Sequence, residues 1–504
     1  MKAVDMNKKS PWRYLMVALS LCGALTLGLA PTQSVQAQPA PAISAPSTSN
    51  SASDLADTTQ PPPDTPASAA SSEASPVAPA PAAAASTPPA PPTRPVSVAV
   101  AQISAGDTAW MISASALVLL MTIPGLALFY AGMVRKKNIL ATMAQSFAVC
   151  ALVTVLWMLI GYSWAFMPGT AWLGDASSAL LQTVQYNKVA GTVSVHHLAT
   201  SIPESVYVMF QLTFAIITPA LITGAFAERM RFTALLLFMA GWSLFVYAPI
   251  AHWVWEPTGW LASRGILDFA GGTVVHVNAG IAGLVAAAML GRRIGYGREA
   301  LTPANLGYTM IGASLLWVGW MGFNGGSAGA ADGRAGMAML VTQLATGAAV
   351  LGWMFAEWAV RGKPTLLGLC SGAVAGLVAI TPASGFVDPR SAMVIGLFAG
   401  LGCYWGATGL KRLLGFDDSL DVFGVHGVGG IIGALLTGAL ADPRIGGAEG
   451  SVLTQAIGVA ATLVWSGGIT ALLLWVIDRL VGLRVSEAEE MKGLDLTQHG
   501  ERVE

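Results

Sequence analysis

Two histidines carry most of the chemical promise of this chain. Of six histidines in 504 residues, His276 and His426 fall inside long apolar stretches, where an ionisable side chain is expensive and by default marks function. Each lies in a run of small residues, Val274-Val275-His276-Val277-Asn278-Ala279-Gly280 and Gly424-Val425-His426-Gly427-Val428-Gly429-Gly430, with an aspartate upstream, Asp268 and Asp421. The matching contexts suggest imidazoles that meet near the midplane and share one proton, because burial and mutual repulsion disfavour charging both. The plainer alternative is a neutral imidazole hydrogen-bonding between helices. No third ligand stands at a spacing suited to a metal, so neither metal nor cofactor is expected. His252, beside Trp253 and Trp255, reads as interfacial, and His196, His197 and His499 carry no signal of their own. The cysteines at 22, 150, 370 and 403 fit neither a disulfide framework nor a zinc pattern.

Aromatic residues recur near the expected outer ends of apolar stretches. Phe210 and Phe214 are four apart and share a helix face; Trp255 closes one stretch, and Trp320 and Phe323 approach the end of another, with Ser327 just beyond. A lone tryptophan in such a place usually belongs to an interfacial belt, which suits Trp172 and Trp260. Asp268 precedes a helix start, where a cap is the simpler reading and attraction of a cation in the vestibule the alternative.

These residues need elements that hold them at membrane depth. Hydrophobic residues make up 54% and charged residues 11%, against about 25% charged in soluble domains. The net charge of −1 offers no basic field for nucleic acid. Apolar runs that can cross about 30 Å of hydrocarbon are predicted at 109–133, 139–166, 202–226, 232–254, 272–290, 304–325, 335–360, 366–381, 391–410, 420–440 and 453–480. The two histidine runs lie five spans apart, so the second copy runs opposite to the first, as in inverted-repeat transporters. The expected fold is an all-α polytopic membrane protein: eleven transmembrane helices, arranged as two inverted five-helix repeats plus one C-terminal helix.

The N-terminus reads as a signal peptide over 1–37, with Lys2, Lys8, Lys9 and Arg13 before an apolar run and Val35-Gln36-Ala37 at a cleavage site. An Ala/Pro/Ser-rich segment, 38–106, is expected to be disordered; the membrane domain spans 107–480 and a tail 481–504. Starting outside, the odd-numbered breaks hold Arg135, Lys136, Lys137, Arg229, Arg231, Arg292, Arg293, Arg298, Arg361, Lys363, Lys411 and Arg412. The positive-inside rule then puts these breaks and the tail in the cytoplasm, which implies a multi-pass protein of the bacterial inner membrane with its N-terminus outside.

Several strings resemble the ammonium transporter family. They include Trp320-Met321-Gly322-Phe323-Asn324-Gly325-Gly326-Ser327-Ala328-Gly329, the run from Asp268 to His276, Asp421-Val422-Phe423-Gly424-Val425-His426-Gly427, Phe129-Tyr130-Ala131-Gly132-Met133-Val134-Arg135, Gly224-Ala225-Phe226-Ala227-Glu228-Arg229 and the tail's Val481-Gly482-Leu483-Arg484-Val485. The likeness covers about 107–500. Segment 38–100 falls outside it, and the loop Glu256-Pro257-Thr258-Gly259 is bulkier than the Gly-rich turn usual there. The resemblance implies an external ammonium site of Phe214, Trp255 and Ser327 with Phe210 beside it. It also implies a gate of stacked Phe214 and Phe323, a path lined by Trp320, paired pore histidines His276 and His426, and Asp268 in support. A homotrimer in the lipid bilayer is implied, with a PII-type signalling protein as a cytoplasmic partner of many members.

The physics suits a small cation that can shed a proton. A ring face contributes about 0.5–2 kcal/mol and a charged hydrogen bond to Ser327 about 1.5–3 kcal/mol. Stripping the hydration shell still costs several kcal/mol after relaxation. Capture of ammonium (or methylammonium) at the mouth is therefore feasible, whereas passage of the bare ion through an apolar throat is not. The expected route is deprotonation near the Phe214/Phe323 gate and passage as ammonia, with the proton travelling separately. Two other readings compete. An ammonium sensor signalling through the tail is disfavoured because no output domain is expected after the last span. An intramembrane hydrolase lacks a nucleophile–base pair or metal triad at membrane depth, so no enzyme is expected.

Overall fold

The computed structural model describes residues 92–503. The chain is mostly helical, and its apolar helices follow the predicted spans closely. In chain order they are α1 (Ala105–Met133), α2 (Lys136–Phe166), α3 (Glu204–Phe226), α4 (Phe232–Trp255), α5 (Gly272–Leu290), α6 (Leu306–Gly326), α7 (Gly333–Arg361), α8 (Leu366–Ile380), α9 (Pro389–Leu414), α10 (Phe423–Leu440) and α11 (Val452–Leu480). Ten have the length and apolarity to cross a membrane. The exception, α8, has 15 residues, about 22 Å at 1.5 Å per residue, and continues into the turns that precede α9. Two short helices, α12 (Glu487–Lys492) and α13 (Leu494–His499), form the tail.

Successive helices alternate in direction, so the bundle has a tail end and a far end. At the tail end Arg293 grips Asp417 with paired hydrogen bonds of 2.9 and 2.8 Å, and Arg135 binds the buried Glu228. Arg229, fully buried, donates to Ser419 and to the Asp417 carbonyl. These bonds tie the α1–α2, α3–α4 and α5–α6 turns to the segment leading into α10. The tail is docked on the same end: Lys137 donates to the Glu490 carbonyl, and the Asp495 carboxylate accepts the Ala141 N–H at 2.7 Å.

At the far end a small sheet crosses the α2–α3 loop. Its strands are β1 (Val96–Ala99), β2 (Tyr186–Asn187) and β3 (Thr192–Val195), in the order β1-β3-β2 and antiparallel throughout. This corrects the expectation of disorder for residues 92–106 of the 38–106 segment, because Val96-Ser97-Val98-Ala99 has the alternation a strand needs and finds a partner in β3. The signal peptide and residues 38–91 lie outside the described residues.

The centre of the bundle is the crossing of α5 and α10. Glycines make it close: a Cβ on Gly280 would overlap the backbone of Gly427, and one on Gly430 would lie 2.9 Å from the Gly272 carbonyl and 3.0 Å from the Val277 nitrogen. Small residues at a crossing let membrane helices approach to backbone contact. Both helices begin with a widened π-type turn, Gly272–Val277 and Phe423–Gly427, and each such turn carries one of the two histidines. Turns of this kind are frequent at functional sites, and α1, α2, α4 and α9 carry them in mid-helix as well.

Candidate functional site

The start of α5 is fixed by Asp268. Its buried carboxylate accepts the N–H groups of Gly271, Gly272, Thr273 and Val274 at 2.6–3.1 Å, the donors that a helix start leaves unpaired. Gly271 precedes the helix at φ 108°, a left-handed conformation that favours glycine. Asp268 therefore acts as a helix cap, and its carbonyl accepts Trp255 Nε1–H at 2.8 Å. Burial raises its carboxyl to about 6, against the pull of the four amides.

The matching cap on α10 is Asp418, not Asp421. Asp418 accepts the N–H groups of Val422 and Phe423 at 3.0 and 2.8 Å, and burial raises its carboxyl to about 6. Asp421 instead pairs with Lys411 at 2.6 Å. The sequence did hold the signal: Asp268 and Asp418 each stand eight residues before their histidine. Proximity to the histidine made Asp421 look like the equivalent.

From the far end inward, the aromatic residues form one continuous line. Trp255 lies edge-on to Phe214 at 5.9 Å, and Phe210 is 5.0 Å from Phe214. Phe214 and Phe323 stack at 4.2 Å, both essentially inaccessible to solvent. His276 stacks on Trp320 at 5.4 Å and on His426 at 5.3 Å. Trp320 is held by its Nε1–H donating to Thr381 Oγ1 at 2.8 Å, a contact with no sequence signature. Ser327, one turn beyond Phe323, donates its hydroxyl to the Phe323 carbonyl at 2.8 Å. Its proton is thus committed, and its oxygen lone pairs are what it offers to a donor such as ammonium.

The two imidazoles face each other through Nδ1, 3.3 Å apart. A hydrogen bond there requires one protonated and one bare nitrogen, so the pair shares a single proton. His276 Nε2 is buried without a partner among the described residues. His426 lines a cavity of about 250 Å³ toward the tail end, together with Val425, Asp421, Ser419, Arg293 and Ser371. All eight residues singled out as pore or binding positions, and Asp268 in support, thus lie along α3–α6 and α10 or at their ends. Three other histidines differ from expectation. His252 is buried, with Nε2 on the Thr170 carbonyl at 2.8 Å, rather than interfacial. His196 is buried, and His197 pairs with Glu256 at 3.0 Å; loop position alone hid both. Among the described residues no cluster of three or more His, Cys, Asp or Glu side chains could hold a metal ion.

Comparison with known proteins gives one answer. The model of the Ammonium Transporter Family matches residues 109–504. The chain is 50% identical to the ammonium transporter of Aquifex aeolicus over 409 residues, 80% of this chain and 94% of that protein. Its fold is similar to the crystal structure of Candida albicans Mep2, with a TM-score of 0.72, 35% identity and coverage of 80% and 92%. It is also similar to a sensor Amt protein, with a TM-score of 0.71, 29% identity and coverage of 78% and 98%.

Proposed function

On the premise that this chain belongs to the Ammonium Transporter Family, we propose that it captures ammonium at the far end and conducts ammonia past the paired histidines toward the tail end. Trp255, Phe210, Phe214 and the Ser327 lone pairs receive the cation. Phe214 and Phe323 close the throat beneath it. The observation that carries this reading is the unbroken line from Trp255 through Phe214, Phe323 and His276 to His426, ending on a cavity. Nothing along that line replaces a hydration shell as a ring of carbonyls does for potassium. Burial favours the neutral amine by up to about 3–5 pKa units, so the ion gives up its proton at the gate. The imidazole pair, holding one proton across 3.3 Å, offers that proton a separate path.

The far end faces outward and the tail end is cytoplasmic in this reading. Basic residues from several breaks gather at the tail end, Lys137 and Arg231 bonding directly to the tail, as the positive-inside rule requires. The further proposals are a cleaved signal peptide over 1–37, a bacterial inner-membrane location, a homotrimer with one pore per subunit, and a PII-type protein docking at the cytoplasmic mouth.

Uptake of labelled methylammonium into proteoliposomes tests the pore. Phe214→Ala and His276→Ala are expected to lose saturable uptake or to change the charge moved per substrate; wild-type behaviour in both overturns the assignment. A sustained inward current on an ammonium step distinguishes net ion transfer from gas conduction. Similarity to a sensor Amt protein favours one second reading, in which ammonium is bound without flux. Binding without uptake by the wild-type protein would support it.

A further inference from the structure

The residue after Trp255 is Glu256, a carboxylate only 1% exposed. Its Oε2 lies 3.0 Å from His197 Nε2, and Thr258 Oγ1 makes a long contact with Oε1 at 3.5 Å. Among the described residues no lysine or arginine pairs with it. His197 reaches Glu256 because β1 and β3 fix the loop, β3 ending at Val195 two residues earlier. The His197 ring is 4.1 Å from that of His196, which stacks on Tyr207 at 4.3 Å. Tyr207 meets Phe166 edge-on at 5.5 Å, and the Phe166 ring lies parallel to Trp255 at 6.2 Å. Tyr207 also shares a face of α3 with Phe210 and Phe214. The imidazole–carboxylate pair thus backs the ring assigned to cation capture.

The other titratable groups around the pair are accounted for. His196 Nε2 is engaged by the Phe166 carbonyl at 3.0 Å, and His252 by the Thr170 carbonyl. Glu204 accepts from Tyr162 and Thr183 and carries no positive partner among the described residues. The Asp268 carboxylate is taken by its four amides. His197 Nδ1 is buried and unpartnered. A neutral ring therefore keeps its proton on Nε2 and donates to Glu256, which leaves Nδ1 as the ring's site for a second proton.

We infer that Glu256 is a specificity-determining residue for ammonium capture, its charge metered by His197. With His197 neutral, the carboxylate adds an uncompensated negative charge one residue from Trp255, which attracts a cation and does nothing for a neutral solute. With His197 protonated, the pair cancels. Capture is then tight when the outer solution is neutral or alkaline and weakens as it acidifies. The inference rests on the reading that Trp255 and Phe214 receive the cation.

Initial rates of labelled methylammonium uptake into proteoliposomes test it, with inner pH and membrane potential held constant. Outer pH is varied over about 8 to 5. Wild type is expected to show a KM that rises several-fold on acidification. Glu256→Gln is expected to raise KM at pH 8 by roughly three- to tenfold, as loss of a nearby charge would, to leave the maximal rate within about twofold and to abolish the pH slope. His197→Gln, whose amide N–H can take the place of Nε2–H on Glu256 but does not titrate, is expected to keep a low KM at every pH. An unchanged KM in Glu256→Gln, or a pH slope that survives in both variants, overturns the inference. If Glu256→Gln fails to assemble, His197→Gln decides alone: a flat profile supports it and a wild-type profile overturns it. Trp255→Ala separates the two readings, because unaltered uptake there refutes the capture site itself. Loss of saturable uptake in Trp255→Ala beside an unaltered Glu256→Gln refutes only the role of Glu256.

Discussion

The segments leading to His276 and His426 are built alike and surrounded unlike. Each has an aspartate eight residues ahead, a widened first turn and glycines at the crossing. Yet His276 is enclosed by Trp320 and Phe323, whereas His426 opens on a cavity with Asp421, Arg293 and Ser371. The caps differ too: Asp268 holds four amides and Asp418 two. The like-built backbones set the two imidazoles against each other, and side-chain asymmetry encloses one in aromatic rings and opens the other on a cavity.

The caps give the largest expected contrast. Asp268→Ala strips the acceptor from four buried amides at about 1–3 kcal/mol each, so a loss above about 4 kcal/mol is expected in thermal unfolding in detergent. Asp418→Ala strips two and should lose about half as much; equal losses would show that the caps are equivalent after all. The difference in access comes next. With Cys150, Cys370 and Cys403 replaced, Ser371→Cys should react with a membrane-impermeant thiol reagent from the tail side, and Thr381→Cys should stay silent. Labelling of both would mean that the aromatic side is open. A smaller effect is expected from Thr381→Val, which leaves the Trp320 N–H without its acceptor and should cost about 1–3 kcal/mol in the same unfolding assay.

The smallest contrast is with acid. Burial works against the charge on Asp417, but the hydrogen bonds and charge of Arg293, with help from Arg229, hold its carboxyl below the ordinary value of 3.8. A depressed carboxyl stabilises the fold above its unfolded value, and that contribution is lost as pH falls through the folded value. Stability tied to the Asp417–Arg293 pair at the tail end should therefore decline below about pH 4, and Asp417→Asn should flatten that decline.

Much of this was legible before any coordinates. The spans were readable because a chain in lipid must declare its helices by length and apolarity, and the histidines because charge is scarce there. The short α8 was readable as an apolar helix although it falls below the usual length of a span. Side-chain partners were not: Thr381 meets Trp320 across 61 positions, and Glu256 meets His197 across 59. Such contacts depend on loop geometry, which no period encodes. The Asp421 assignment failed for a different reason. Three acids, Asp417, Asp418 and Asp421, lie within the same short stretch, and only the eight-residue spacing singles out Asp418.

The strand Val96–Ala99 sets a limit on how the chain can be trimmed. A protease that cuts anywhere before Pro92 leaves the far-end sheet whole. A cut after Ala99 detaches its edge, frees β3 from one neighbour and loosens the mooring of His197. Affinity handles and fluorophores placed at the amino end therefore need their junction upstream of residue 92, or they will disturb the sheet that positions His197.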